Sequence, residues 1–484
     1  MRITNGIMIN NSLSNINKNK ETVDKLNTQI TSEKQIQRAS EDPILAVRSL
    51  RLRSTLAEIN QYLDANIPDA RQWLDTTETA LSTTADLLEN FIYYCNQGVN
   101  DYNTVSERNT LITQLKQYQQ EMYSTANADY AGRTVFTGYK TDRGLTFTDA
   151  DNPSDLSYTI TETFDFNSID VVNKIIGAVD SSTVAETTEY DVTNKQVYRA
   201  LLAYDDIDLS SLSTDNLPSG ISFTEISLDA YGDAAYNVGT NEIRVIPETG
   251  EVLIGSGAYE RLKNSSDSGF TISYSKTGFE TGDLRPEHYF DCVDTTDADN
   301  PVTYTFSEQS IEYEINFSTS MSINTLGCNT FDTGMVRYID DLIESVGVAI
   351  NAQNTISDIE KQMAATDDDD TIATLQTMLD AANIELAYAE ENMSDLFAAA
   401  ITHFQEYSDK IDLAIADVGT KGTRLDLNED RLESQKLSVT SLKSQNEDIN
   451  VTEVAVLYSQ AQDVYDASLT TASQIVQKSL LDFL

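Results

Sequence analysis

The sequence predicts a mostly α-helical chain with an inserted β-rich domain, and three observations carry this. Glycine and proline are sparse, 20 and 7 in 484 residues, against average usage of about 7% and 5%. Elements therefore run long before a breaker stops them. Apolar residues recur at heptad spacing near both ends, the narrow stripe of helices that meet partner helices. Between about residues 150 and 330 that period gives way to alternating Thr, Tyr, Val and Ile, the period-2 pattern of strands.

The first helix is predicted over residues 9–30, with Ile9, Leu13, Ile16, Val23 and Ile30 on one stripe and Lys20 and Asn27 in the same frame. Ser40-Glu41-Asp42-Pro43 breaks it. Proline suits the first turn of a new helix, and Ser40 or Asp42 can cap it. The pattern resumes from Ile44 to about Gly98, where Pro68 should kink or break the helix because it lacks the N–H donor. Cys95 falls on the apolar face and reads as a packing residue. Asn100–Thr104 reads as a polar turn, and Ser106 opens a further helix through Leu111, Leu115, Tyr118 and Met122.

Strands are predicted at Tyr158–Thr161, at Glu242–Pro247 with Glu251–Ile254 as a hairpin, at Phe270–Tyr274, at Thr303–Phe306 and at Ile311–Phe317. One helix is placed near Lys195–Tyr204. Helix returns at Met335 and runs towards Met363, until Asp367–Asp370 interrupts it as a solvated helix start. Leu375, Leu379, Ala382, Leu386, Ala389, Met393, Leu396 and Ala400 then hold a heptad frame. Gly419 and Gly422 mark a turn. Past Asn450 the frame slips by one to Val454, Leu457, Ala461, Val464 and Ile475, which predicts a hinge or a changed partner near 449–454.

Charge narrows the function. Lys+Arg 32 against Asp+Glu 78 gives a net −46, a field that repels phosphate backbones and argues against nucleic-acid binding. The charge is uneven. Residues 1–55 carry nine basic and five acidic groups, and residues 151–330 carry 8 and 31, so different neighbours are expected for each. Two histidines cannot build a histidine-rich metal site, and three cysteines cannot form a closed disulfide set. There is no G-x-S-x-G, P-loop, C-x-x-C or H-E-x-x-H, so no enzyme, cofactor or metal is expected. His288, beside Glu287, reads as a surface histidine. No run reaches the roughly 18 apolar residues of a membrane span. The polar start lacks a secretory h-region, so export by a route that reads no such signal is expected.

Neither terminal helix can bury its stripe alone, and the economical arrangement pairs the two ends and leaves the insertion projecting. That layout, together with Met1-Arg2-Ile3-Thr4, Ser40-Glu41-Asp42-Pro43, Ser106-Glu107-Arg108, Asn127-Ala128-Asp129, Thr134–Thr141, Tyr465–Leu469 and Lys478–Leu484, resembles the junction-protein family of bacterial flagella, hook-associated protein 3, among the flagellin-like proteins. Glu41 stands where that family usually has Asp. Flagellin itself usually lacks the proline at this point.

The resemblance covers about 1–150 and 330–484. It implies a flagellin-like rod of long paired terminal helices, with 1–45 and 450–484 as a terminal axial coiled coil, 46–150 and 331–449 as a helical rod, and 151–330 as an outward β-rich insertion. It implies a structural subunit exported through the flagellar type III channel to the extracellular flagellum. That subunit would lie as a ring between hook-associated protein 1 and the flagellin filament, after a flagellar export chaperone has released its C-terminal helix. The two terminal stripes would be its assembly interface. The alternative is flagellin itself.

Overall fold

The computed structural model describes residues 5–99, 105–164, 166–185, 187–208, 211–264 and 269–481. The Met1–Thr4 opening, the Asn100–Thr104 turn and the final Asp482–Leu484 lie outside the described residues. The chain forms two compact units, one of residues 1–69, 313–321 and 423–484, the other of 70–312 and 322–422. In chain order the helices are α1 (Asn5–Ser32), α2 (Pro43–Gln61), α3 (Ile67–Gly98), α4 (Val105–Ala126), the short α5 (Leu228–Tyr231) and α6 (Ser256–Lys263), then α7 (Thr333–Ala365), α8 (Asp369–Glu447) and α9 (Val451–Leu481).

In the first unit, no helix ends at Pro68 itself, which is the second residue of α3. The adjustment comes one turn earlier, as a π-turn at Tyr62–Asn66 in which the Ile67 N–H reaches the Tyr62 carbonyl. The wider turn accommodates the missing donor and ring of the proline, and helix continues into α3. Beside it, Asn66 Nδ2 donates to the Glu314 carbonyl at 2.8 Å and the Tyr62 ring meets Phe317 edge-on at 5.5 Å.

In the second unit, Phe91 of α3 stacks on Phe404 of α8 at 5.3 Å and meets Tyr118 of α4 at 5.7 Å. Gly98 is required where it stands, since a Cβ there would come within 2.6 Å of the Phe397 ring. Cys95 is fully buried, and burial pushes its thiol up to about 12, so it is an inert packing group. Asp368 begins α8 by accepting from the Thr371 N–H at 3.2 Å.

Two expectations for α8 are corrected. Gly419 and Gly422 make no turn, because α8 runs unbroken from Asp369 to Glu447. Two glycines cost roughly 1 kcal/mol each in a helix, and the buried Val418, Leu425 and Leu432 on either side outweigh that. The strict heptad also drifts. Leu379, Leu386 and Leu396 are only partly buried, while Met378, Glu385 and Phe397 take the buried positions. Leu375, Met378, Ala382, Glu385 and Ala389 keep the heptad in a different frame, and the spacing lengthens to four at Met393 and Phe397, as a helix of 3.6 rather than 3.5 residues per turn requires.

The β-rich segment begins with the small ribbon β1 (Asp129–Tyr130) and β2 (Arg133–Thr134). The remaining strands are β3 (Ser157–Phe164), β4 (Asp170–Ile176), β5 (Thr193–Leu201), β6 (Ser213–Asp215), β7 (Ser222–Glu225), β8 (Glu242–Ile246), β9 (Glu251–Ile254), β10 (Phe270–Thr277), β11 (Asp291–Asp294), β12 (Val302–Tyr304), β13 (Glu312–Asn316) and β14 (Thr319–Ser322). One five-stranded sheet has the order β12-β11-β3-β10-β6 and the other β4-β5-β9-β8-β7, with β13 and β14 a separate ribbon. Ile160, Phe270 and Tyr274 of the first sheet share one core with Ala200, Val245 and Ile254 of the second.

The helix expected near Lys195–Tyr204 is strand β5. Tyr198 and Ala200 face the core between the sheets, Val197 and Arg199 lie on the other face, and the buried arginine there disguised the alternation. Arg199 is buried and donates to Glu251 at 2.8 Å and to Asp341 of α7 at 3.1 and 2.5 Å. Lys174 adds an ion pair to Glu251 at 2.9 Å. Burial alone would raise the Glu251 carboxyl, but Lys174 and Arg199 override it and hold it at about 2. His288 is also corrected: it is buried, not on the surface, and burial, helped by Lys140 and Arg285, holds it down at about 3.

Candidate assembly site at the paired terminal helices

α1 packs along α9. The contacts Lys34 with Asp448 and Asn19 with Ser468 show that the two helices run antiparallel. The partly buried residues of α1 are Ile9, Ser12, Ile16, Asn19, Val23, Leu26, Gln29, Ile30 and Ser32. From Ile9 through Ser12 to Ile30, seven of them alternate by three and four, which is a continuous heptad seam. On α9 the seam is Val454, Tyr458, Ala461, Tyr465, Ser468 and Ala472. Asn19 Nδ2 donates to Ser468 Oγ at 2.6 Å across it. A polar pair inside an apolar seam fixes register at some cost in stability.

Ile9, Ile16, Val23, Ile30, Val454 and Ala461 of the predicted stripes thus lie in the seam. Ile475 is on α9, with its side chain outside the described residues. Leu13, Leu457 and Val464 lie outside the seam: each sits one residue from a seam position and faces outward, Val464 with 54% of its surface exposed. An apolar search passes over Ser12, Tyr458 and Tyr465. Their signal was nonetheless in the sequence, since Ser12, Asn19 and Leu26 repeat by seven, as do Tyr458, Tyr465 and Ala472.

At the end of the pair lies a clasp between residues far apart in the sequence. Glu33 adopts a left-handed backbone, φ 58°, which turns the chain so that its carbonyl accepts from the Ile449 N–H at 3.1 Å. The Gln35 N–H donates to the Glu447 carbonyl at 2.8 Å. Lys34 pairs with Asp448. Arg53 of α2 grips both carboxylate oxygens of Glu447 at 2.7 and 2.8 Å, and Ser49 adds a third bond. The Arg53 contact comes first among the causes that hold Glu447 down at about 2. Near the expected frame slip at 449–454 the helix breaks at 448–450 between α8 and α9, with Asn450 Oδ1 accepting from the Glu453 N–H at 3.5 Å.

In the Ser40–Pro43 element, Asp42 is the cap. Its Oδ1 accepts from the Ile44 and Leu45 N–H groups at 3.0 Å each, and Pro43 takes the first helical position. Glu41 Oε2 accepts from the Gln37 N–H at 3.2 Å, and Ser40 is exposed.

Among the described residues no group of three or more His, Cys, Asp or Glu is placed to hold a metal, and no helix is long and apolar enough to cross a membrane. A cavity of about 350 Å³ in the second unit is walled partly by Lys174, Arg199 and Asp341, whose charges are already committed to one another and to Glu251.

The part of the chain that carries α1, one helix of the pair, is similar to known sequences. The family model for the bacterial flagellin N-terminal helical region matches residues 3–141. This stretch is similar to the flagellin N-terminal helical region. A flagellin of Clostridium tyrobutyricum is 29% identical to the chain over 127 residues, 26% of this chain and 33% of that protein. Flagellar hook-associated protein 3 of Salmonella typhimurium is 29% identical over 147 residues, 29% of this chain and 45% of that protein. The chain therefore spans less than half the length of these relatives. Among solved structures, FlgL from Xanthomonas campestris aligns over 81% of this chain and 99% of its own, at 12% identity and a TM-score of 0.34, too loose an overlap to place residues on one another. The flagellin-type region contains α1, the Asp42-Pro43 cap and α2 to α4, and so one side of the seam.

Proposed function

We propose that this chain is a structural subunit of the bacterial flagellum, forming the junction layer between hook-associated protein 1 and the flagellin filament. The observation that carries the reading is the antiparallel α1–α9 pair, whose α1 belongs to the flagellin-type region and which turns Leu13, Leu457 and Val464 to the outside. Exposed large apolar groups on a helix pair mark a surface that a partner covers. In this reading the seam residues Ile9, Ile16, Val23, Ile30, Val454 and Ala461 make the terminal coiled coil, together with Ile475. Leu13, Leu457 and Val464 contact neighbouring subunits in a ring, and the Ser40–Pro43 element sets where the axial part, 1–45 with 450–484, gives way to the rod, 46–150 with 331–449. Residues 151–330 project outward.

The chain acts as no enzyme and is extracellular in the flagellum, reached through the type III channel. Before export, a flagellar chaperone covers the α9 face that neighbouring subunits cover afterwards. The similarity to a flagellin keeps a second reading, the filament subunit. One experiment separates the two. A junction protein's deletion releases unassembled flagellin while hooks remain. A filament subunit's deletion leaves no flagellin to release. A deletion strain with intact filaments refutes both.

A further inference from the structure

The basic stretch at the start of the chain finds no use in the α1–α9 seam. Its structural expression is on α2. There Ile44, Val47 and Leu50 are outward, Ile44 with 81% of its surface exposed, and Arg48 and Arg51 stand among them. Neither arginine has a hydrogen bond or ion pair among the described residues, unlike Arg53 on the same helix, which holds Glu447. The same unit carries a second unpartnered face of opposite sign. On the 423–447 part of α8, Leu427 and Leu437 point outward, Leu437 with 73% of its surface exposed. Asp430 and Glu433 lie between them, with Arg431 on the opposite flank of Leu427. Ile44 to Arg51 spans about 10 Å of helix and Leu427 to Leu437 about 15 Å, so each face is two to three turns long.

We propose that the α2 face of one copy, Ile44, Val47 and Leu50 with Arg48 and Arg51, docks on the α8 face of the next copy, Leu427 and Leu437 with Asp430 and Glu433. This rests on the structural-subunit reading and names which surfaces bring copies together. Two copies carrying −46 each repel at long range. A contact between them must place the basic minority of one against the acidic majority of the other. Using two different faces makes the contact heterologous, so it repeats from copy to copy and closes into a ring when the rotation permits. Apolar groups at the centre supply the attraction, and the flanking charges fix orientation and reject misaligned copies.

The test is reciprocal charge reversal in the full chain, expressed in a strain lacking its own gene. Arg48→Glu with Arg51→Glu, and separately Asp430→Arg with Glu433→Arg, should each lower swimming and the yield of cross-linked copies at least about tenfold. All four changes in one chain should restore both. Cross-linking is read with a short bis-maleimide on Val47→Cys, Leu437→Cys chains in a Cys328→Ser background, because Cys95 and Cys292 are buried. Each variant is first checked for unchanged thermal unfolding. A reversed pair that still cross-links at the wild-type level, or a four-fold variant that is not rescued, overturns the docking. Filaments that survive deletion of the gene overturn the subunit reading itself, so the two failures are distinguishable.

Discussion

Between the two five-stranded sheets, Ile160, Ile243, Val245, Ile254, Ile272 and Tyr274 are all at or near zero exposure. Along the described parts of α1 and α9 no residue is fully buried. The sheets find their apolar partners within the chain, and even their charges are matched inside, as Arg199 is by Glu251 and Asp341. The helix pair closes a seam one side chain wide and leaves Leu13, Leu457 and Val464 outside it. Full burial makes a region stable by itself, whereas a thin seam makes one that becomes stable on covering its outer face.

The largest expected effect lies in the saturated region. Arg199→Ala would leave Glu251 and Asp341 facing each other without their arginine, and removing one partner of a buried pair costs about 3–5 kcal/mol. Chemical denaturation should show the second unit unfolding early while the α1–α9 pair keeps its helicity. An unchanged midpoint would mean that Lys174 alone can hold Glu251.

Next in size is a contrast on α9. Ala461→Asp places a carboxylate in the seam and should loosen the pair by about 1–3 kcal/mol, seen as faster amide exchange along both helices. Val464→Asp, three residues on and facing out, should stay within about 0.5 kcal/mol of wild type in the free chain yet abolish assembly. Equal monomer effects would erase the distinction between seam and outer face.

Acid and base should separate the regions with opposite sign. Glu447 is held at about 2, below its ordinary 4.5. Its stabilisation is complete above pH 4.5 and is lost as pH falls towards 2, so the 33–35 and 447–449 clasp should open in acid. Glu162, inside the sheet core, is raised by burial to about 7, although Tyr274 and the Ala203 N–H at 3.0 Å oppose the rise. Its contribution is complete below 4.5 and is lost as pH rises through 7. His288, held at about 3, acts the other way in the same unit. The readable quantity is therefore the stability difference between wild type and Glu162→Gln, which should change between pH 4.5 and 7 and be flat elsewhere.

What the sequence could and could not tell follows the same division. Long helices, the hairpin at Glu242–Ile254 and a cap at Ser40 or Asp42 were legible because each is written in local period or in one turn's chemistry. Half the seam was legible, at Ile9, Ile16, Val23 and Ile30, because those positions are apolar. The other half was missed, because Ser12 and Asn19 are polar, Tyr465 is polar-tipped, and the adjacent Leu13 and Val464 attracted the frame. Strand β5 was misread because a buried Arg199 breaks apolar alternation, and its partner Asp341 lies 142 residues away. The clasp was invisible for that reason too. Lys34 and Asp448 are 414 residues apart, and singly each looks like a solvated charge.

The smallest effect tests which residue of the Ser40–Pro43 element matters. Asp42 satisfies two N–H groups that the first turn of α2 cannot bond internally, and Pro43 supplies a fixed φ without a donor to waste. Asp42→Ala should therefore cost about 1 kcal/mol, with Ile44 and Leu45 amides losing protection first. Asp42→Ser should recover most of it, because a hydroxyl oxygen can accept the same bonds. Glu41→Ala should cost less than Asp42→Ala, since Glu41 accepts from the Gln37 N–H outside the helix, and Ser40→Ala less again. If Glu41→Ala frays α2 as much as Asp42→Ala does, the element works as an acidic pair rather than a cap. The register of the outward Ile44–Arg51 face would then depend on the loop before the helix and not on the helix start.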